Sequence, residues 1–253
     1  MGKKVIGVIP ARYASTRFPG KPLIVIQGKS LLQRTYENAQ QASLDELIVA
    51  TDDQRIYDHV KGFGGNVMMT SPDHLTGSDR VAQVLLANPE WMQAAVIINI
   101  QGDEPCIEPS SLDAIAQALI SDPSSSVSTA VSPLRTEAEA ESSSVVKCIL
   151  DRKNHALYFS RTLIPSNKKH AYNPATTYYR HIGIYAFRPA FLLEFGKLPP
   201  TPLQLEEDLE QLKILEHGYR IKVAVLEHIS IGVDTPEDIK QVEQWLSKQN
   251  TSL

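Results

Sequence analysis

Val5-Ile6-Gly7-Val8-Ile9-Pro10-Ala11-Arg12-Tyr13-Ala14-Ser15-Thr16-Arg17-Phe18-Pro19-Gly20-Lys21-Pro22 carries an apolar run that stops at Pro10 and passes into a cationic loop. A short apolar run of this kind reads as a buried strand. Arg12, Arg17 and Lys21 place three cations within ten residues, more than a turn needs. Such a loop suits a polyanion like a triphosphate, whose charge must be neutralised and whose oxygens must be hydrogen-bonded. The formal net charge is -4, so any attraction for an anion has to be local. The loop is not a Walker A motif, because Pro22 follows Gly20-Lys21 and the first glycine is missing. Nor is it the G-x-G-x-x-G dinucleotide fingerprint.

Outward from this strand, short apolar runs alternate with helical patterns. Lys4–Ile9, Glu46–Thr51, Asn66–Thr70 and Ala94–Ile100 read as strands, the last nearly all apolar and expected to be buried on both faces. Helices are expected from Ser30, where the spacing fits a capping box, after Asp52-Asp53 to about Gly62, over Ser78–Ala87 and over Pro109–Ile120. This βαβαβ rhythm implies an α/β fold with a mostly parallel sheet and helices on both faces. The rhythm breaks after Ser121. Val127–Ser132, Val145–Leu150, Ala156–Phe159, His181–Phe187 and Arg220–Leu226 read as further strands, Leu205–Glu216 and Pro236–Leu246 as helices, and 166–177 as a polar segment. There are no internal repeats and no long linker. One domain over 1–253 is expected, with a mixed α+β lobe from about 127 to 200.

Composition narrows the class. A pI near 6 argues against broad nucleic-acid binding. Cys106 and Cys148 make no disulfide framework and have no metal-ligand spacing, which fits a reducing compartment. No segment approaches the length of a membrane span, and the run after Lys3-Lys4 is too short for a signal peptide. A soluble cytoplasmic protein is expected.

Three more segments carry chemistry. Gln101-Gly102-Asp103-Glu104-Pro105 follows the most apolar strand, where open parallel sheets bind ligands. Asp103 or Glu104 is thus placed to hold a substrate-bound metal, with Gly102 allowing close backbone approach. In Gly232-Val233-Asp234-Thr235-Pro236-Glu237-Asp238, Pro236 suits the first helical position, making Thr235 the N-cap and Asp238 the third residue of the helix. Asp234 is then a carboxylate outside the helix that capping does not need. Two aspartates from distant segments could hold Mg2+, with phosphate oxygens and water completing the octahedron. Finally, Ser71-Pro72-Asp73-His74-Leu75-Thr76-Gly77-Ser78-Asp79-Arg80 is a polar loop running into a helix N-terminus, with Ser71, Gly77 and Arg80 as candidates for contacts to a base.

The Arg12–Pro22 loop, Gln101–Pro105 and Gly232–Asp238, in this order and at these separations, resemble the signature of sugar-activating nucleotidyltransferases, in particular the CMP-KDO synthetase (3-deoxy-manno-octulosonate cytidylyltransferase) family. Tyr158-Phe159-Ser160-Arg161, Arg180-His181-Ile182-Gly183-Ile184-Tyr185 and Leu209-Glu210-Gln211-Leu212 resemble the same family, and the similarity runs from Val5 to Trp245. The chain departs from the family at Leu75 and Asp79, where Gln and Glu are common, and at Ser166-Asn167, where an aromatic is common.

The resemblance implies a Rossmann-like fold of the nucleotide-diphospho-sugar transferase type. It implies transfer of a cytidylyl group from CTP to 3-deoxy-manno-octulosonate (KDO), giving CMP-KDO and pyrophosphate, a step that activates KDO for lipopolysaccharide synthesis. Nucleotide contacts fall on Ala11, Arg12, Ser15, Arg17, Lys21, Ser71, Gly77, Arg80 and Gln101. Asp103 and Asp234 become the Mg2+ ligands, and with Arg12, Arg17 and Lys21 the catalytic set. Arg161 is expected to grip the sugar carboxylate, with His181, Tyr185, Glu210 and Gln211 reading hydroxyls. A homodimer is expected, with neither nucleic acid nor membrane insertion. The alternatives are a CMP-sialic acid synthetase or other sugar nucleotidyltransferase and, from a different class, a catalytically dead nucleotide-binding regulator.

Overall fold

The structure, a computed structural model, describes residues 4–14, 18–74, 76–227, 231–233 and 235–250. The chain forms two compact units, residues 1–113 with 230–253, and residues 114–229. The second unit is thus wider than the 127–200 lobe expected from the sequence.

In the first unit β1 (Val5–Ala11) leads through a 3-10 turn (Lys21–Leu23) to the small hairpin β2 (Val25–Ile26) and β3 (Lys29–Ser30). Then come α1 (Leu31–Ala39), β4 (Glu46–Thr51), α2 (Gln54–Gly62), β5 (Val67–Met69), α3 (Gly77–Ala87), a 3-10 turn (Pro89–Gln93) and β6 (Val96–Asn99). β1 pairs in parallel with β4 on one side and β6 on the other, and β4 pairs in parallel with β5. The chain moves outward from β1 to β4 to β5, then reverses through α3 to reach β6. Right-handed crossovers therefore put α1 and α2 on one face of the sheet and α3 on the opposite face. The reversal makes the gap between the ends of β1 and β6 the topological switch point.

Local signals set the helix starts. The Ser30 hydroxyl accepts from the Gln33 N–H, Asp53 accepts from Arg55 N–H, and Thr76 with Asp79 forms a full capping box. Every residue of β6 is buried, as its apolar composition predicts.

The chain passes into the second unit within α4 (Pro109–Ser121), followed by β7 (Val127–Pro133), α5 (Glu137–Glu141), β8 (Lys147–Leu150), β9 (Ala156–Ser160) and β10 (Tyr179–Phe187). It continues with α6 (Pro189–Phe195), α7 (Pro202–Glu207), α8 (Glu210–Glu216) and β11 (Ile221–Val225). β7 pairs with β10 antiparallel and with β11 in parallel, while β8 pairs antiparallel with β10 and β9. The single helix expected over Leu205–Glu216 is two helices. Asp208 takes a left-handed conformation (φ 53°) and breaks it.

α9 (Asp238–Asn250) returns to the first unit. It begins at Asp238, two residues after the Pro236 start expected from the sequence, so Thr235 is not its N-cap; the Asp238 carboxylate nonetheless accepts from the Thr235 N–H at 2.8 Å and from its hydroxyl at 3.1 Å. Val242 of α9 packs with Ile26, Leu31, Cys106 and Val233 in one buried cluster.

Candidate active site

A cleft of about 370 Å³ opens at the carboxyl ends of β1 and β6. Its volume suits a small-molecule ligand. Pro10, Ala11 and Arg12 line it from β1, Gln101, Gly102 and Asp103 from β6, and Gly77 and Arg80 from α3. Lys21, Pro22 and Leu31 complete the wall below the cationic loop.

The loop after β6 is held close to β1. A Cβ on Gly102 would lie 3.0 Å from the Pro10 carbonyl oxygen, so this crossing tolerates only glycine without movement. Thr35 donates to the Gly102 carbonyl at 3.3 Å, and Asn38 to that of Pro105. Asp103 is thereby fixed at the mouth of the cleft. Lys21 Nζ donates to Asp103 Oδ2 at 2.6 Å and to the Val233 carbonyl at 2.7 Å. The Val233 N–H in turn donates to the Asp103 carbonyl at 2.9 Å. Three distant segments are knotted together, and the knot ends one residue before Asp234. Asp234, Ser15 and Arg17 lie outside the described residues.

Behind Asp103, the Glu104 carboxylate fills the space beside Gly232, where an added Cβ would meet Glu104 Oε1 at 2.9 Å. Asp103 lies on the cleft wall and Glu104 does not. Among the described residues no group of three His, Cys, Asp or Glu side chains is arranged to hold a metal ion. A single carboxylate on the cleft wall, Asp103, suits Mg2+, which typically takes one or two protein carboxylates and completes its shell with phosphate oxygens and water. Asp103 could hold such an ion.

Arg80 departs from the picture of a side chain reaching out to a base. It is 1 % exposed and paired to Asp52 at 2.8 Å, and it also donates to the Thr70 hydroxyl and the Ser71 carbonyl. It ties α3 to the ends of β4 and β5 while forming part of the cleft wall. Ser71 is not on that wall. Its N–H donates to Gln83 Oε1 and its hydroxyl to Asp73. Gln83 also bonds His74 Nε2 and so organises the loop before α3.

Sequence reading missed the partners. Arg55 stacks on Tyr13, with Cζ 3.3 Å from the ring centroid, while both its terminal and inner nitrogens bond Asp53. The Tyr13 carbonyl accepts from Gly20 N–H at 2.9 Å and closes the cationic loop. The adjacent pair Asp52-Asp53, each holding an arginine, was the only local sign of these contacts.

The candidate acceptor residues belong to the second unit. His181 and Tyr185 lie on β10, on either side of a bulge between Ile182 and Tyr185. Thr129 on β7 fills the bulge, donating to the Ile182 and Ile184 carbonyls at 3.1 and 2.8 Å. Its single proton goes to a carbonyl, so Thr129 Oγ1 accepts from His181 Nε2, 2.9 Å away, and Nδ1 is left as an acceptor. Though open to solvent at one edge, the His181 ring is surrounded by protein, and this desolvation pushes its pKa down to about 3. A neutral imidazole with an acceptor at Nδ1 has the chemistry to accept from a sugar hydroxyl. Burial likewise raises the Tyr185 phenol, which stays protonated as a donor. Arg180 points instead to Glu139, at 3.7 Å, as strand alternation predicts. Glu210 is half-buried at the start of α8, and next to it Gln211 is 5 % exposed, its Nε2 without a partner among the described residues.

Arg161 directs Nε to the Glu207 carbonyl at 2.9 Å, Nη2 to that of Asp208 at 3.3 Å and Nη1 to that of Ser143 at 3.4 Å. A guanidinium has five N–H groups, so each terminal nitrogen keeps a second donor beyond these bonds.

A cationic cleft at the switch point of a parallel sheet marks a nucleotide-handling enzyme of the α/β class, and the cytidylyltransferase family profile matches residues 6–223. Over all of this chain and 98% of its own length, the 3-deoxy-manno-octulosonate cytidylyltransferase of Protochlamydia amoebophila is 61% identical. The Zea mays enzyme of that name is 47% identical over 98% of this chain and 82% of its own. A solved structure of CMP:2-keto-3-deoxy-manno-octonic acid synthetase complexed with CTP is 38% identical, with a TM-score of 0.90 over 97% of this chain and 99% of that one. The chain belongs to the 3-deoxy-manno-octulosonate cytidylyltransferase family.

Proposed function

We propose that the chain transfers the cytidylyl group of CTP to KDO, forming CMP-KDO and releasing pyrophosphate. The observation that carries this reading is the knot of Lys21, Asp103 and Val233 at the mouth of the cleft, in a chain 61% identical to an enzyme of that name. A sugar hydroxyl attacks the α-phosphorus of CTP. The new P–O bond forms as the bond to the β-phosphate bridging oxygen breaks, pyrophosphate carries away the electron pair, and the hydroxyl proton is released to water. The protein's part in such a step is positioning and charge stabilisation. Arg12, Arg17 and Lys21 bind the phosphates, with Ser15 beside them. Ala11, Gly77 and Gln101 shape the wall for the nucleoside, and Arg80 holds that wall in place. Arg161 takes the sugar carboxylate, and His181, Tyr185, Glu210 and Gln211 read its hydroxyls.

Asp103 and Asp234 hold Mg2+ in this proposal. When bound, the ion neutralises phosphate charge and lowers the pKa of the attacking hydroxyl. A cytoplasmic homodimer that supplies CMP-KDO for lipopolysaccharide synthesis belongs to the same reading. The cationic loop and Asp103 are intact, which favours an enzyme over a dead nucleotide-binding regulator.

The test is pyrophosphate release across four nucleoside triphosphates and several acidic sugars, with Mg2+ or with EDTA. Release is expected for CTP with KDO and lost on chelation. No release from that pair would overturn the reaction, and turnover undiminished by exhaustive chelation would overturn the metal.

A further inference from the structure

The corner between α7 and α8 is built around Glu207 and Asp208, to which the proposed reaction assigns no role. α7 ends at Glu207, and the left-handed Asp208 turns the chain so that α8 starts at Glu210. A helix end leaves its last carbonyls without intrahelical partners. Here two of them, from Glu207 and Asp208, accept from the Arg161 guanidinium. Glu207 answers with its carboxylate. Oε2 accepts from the Arg161 backbone N–H at 2.9 Å, and Oε1 accepts from the Ser160 hydroxyl at 2.6 Å. Residue 161 and residue 207 thus hold each other through both main chain and side chain.

Lys147 supports the same point from below. It is fully buried, and its Nζ donates to the carbonyls of Arg161 at 2.6 Å, Val145 at 2.7 Å and Ser142 at 2.8 Å. A buried ammonium needs such partners, and a nearby carboxylate reduces its cost. Desolvation lowers the Lys147 pKa, and the Glu207 charge acts in the opposite direction.

We propose that Glu207 is a positioning residue for the acceptor sugar: by clamping Arg161 it orients the guanidinium and sets the left-handed corner that presents Glu210 and Gln211. Ser160 and Lys147 complete the clamp. The inference rests on the acceptor reading of Arg161, Glu210 and Gln211 given above. Gln211, one residue into α8, is buried with an unpartnered amide donor among the described residues, so a small rotation of the corner redirects it.

The experiment uses the full chain with Glu207→Ala, Glu207→Gln and Ser160→Ala. It measures the KDO requirement and kcat by pyrophosphate release, CTP affinity by calorimetry, and amide hydrogen exchange over 205–212. Glu207→Ala should raise the KM for KDO about tenfold to a hundredfold, the range of one lost charge-assisted hydrogen bond. CTP affinity should stay within about twofold. Exchange over 205–212 should rise. Glu207→Gln keeps an acceptor for the Arg161 N–H and can donate to Ser160, so it should restore most of the effect. Ser160→Ala should give a smaller shift of the same kind, which keeps the test open if Glu207→Ala does not fold. Faster exchange with an unmoved KM for KDO would reduce Glu207 to a structural residue and overturn the proposal. Unchanged exchange would overturn the clamp itself. If the wild-type chain uses another acidic sugar, the reaction reading fails, and the same KM comparison on that sugar still tests Glu207.

Discussion

Lys21 Nζ lies 2.6 Å from Asp103 Oδ2, joining residues 82 positions apart at the mouth of the cleft. The lysine side chain is 13% exposed and the aspartate 34%. A half-shielded cation and carboxylate in contact hold each other aligned, and the Val233 carbonyl fixes the direction of the ammonium.

Lys21→Met keeps the length of the side chain and removes its charge, and Asp103→Asn keeps the size and removes a hard ligand. Each should lower kcat by about 10²–10³-fold, as for loss of one electrostatic contact to developing charge. The double variant should cost less than the product of the two, because the residues act as one unit. Steady-state pyrophosphate release on folded variants measures this. Full additivity would show that the contact is incidental.

Gly102→Ala should leave the protein folded and cripple it. The new methyl group meets the Pro10 carbonyl at 3.0 Å, so β1 and the Asp103 loop must move apart by a few tenths of an ångström. Misplacement of reacting groups by an ångström can cost about 10²-fold in rate. A drop of tenfold or more in kcat/KM with a melting temperature close to wild type is expected. Wild-type kcat/KM would place the functional centre elsewhere.

Asp52→Asn tests Arg80 as a pillar of the wall. The guanidinium is 1 % exposed, so removing its charge partner leaves a buried cation uncompensated. Breaking such a pair costs about 3–5 kcal/mol. Urea unfolding should show a large fall in the midpoint. A change below about 1 kcal/mol, the scale of a surface pair, would contradict the burial argument.

Acid should loosen the second unit through His155, whose two ring nitrogens meet Asp122 at 2.6 Å and Asp151 at 3.0 Å. Burial pulls the Asp122 carboxyl upward, but hydrogen bonds from Ser124, His155 and Ser125 outweigh it and hold the group well below the usual range. The His155 backbone N–H leads in holding Asp151 down, to about 2. Both folded values lie below the ordinary 3.8, so this stabilisation is complete above that pH and is lost as pH falls through the folded values. Thermal melts from pH 6 to 2 should show a steep acid limb that flattens in Asp122→Asn. An identical limb in the variant would remove this cluster from the account.

The sequence by itself determined the parallel half of the fold and which short segments bring Arg12, Lys21 and Asp103 to the cleft. Glu46–Thr51 and the capped starts of α1, α2 and α3 are where local pattern put them, because apolar runs and N-cap hydroxyls or carboxylates act within a few residues. The cationic loop and Asp103 were legible for the same reason: few roles need so many charges at so short a spacing. Only the tertiary structure decided what those charges touch. Arg80 reads as a ligand contact until Asp52 comes within 2.8 Å, and nothing local to Arg161 shows that the carbonyls of Glu207 and Asp208 orient its guanidinium. The break at Asp208 was equally hidden, since the residues from Leu205 to Glu216 keep helical periodicity across it. An Asp tolerates the left-handed region better than most side chains but does not require it, so Asp208 alone does not announce the break. Its neighbour Glu207 accepts from residues 160 and 161, 47 and 46 positions away, and only folding brings these together.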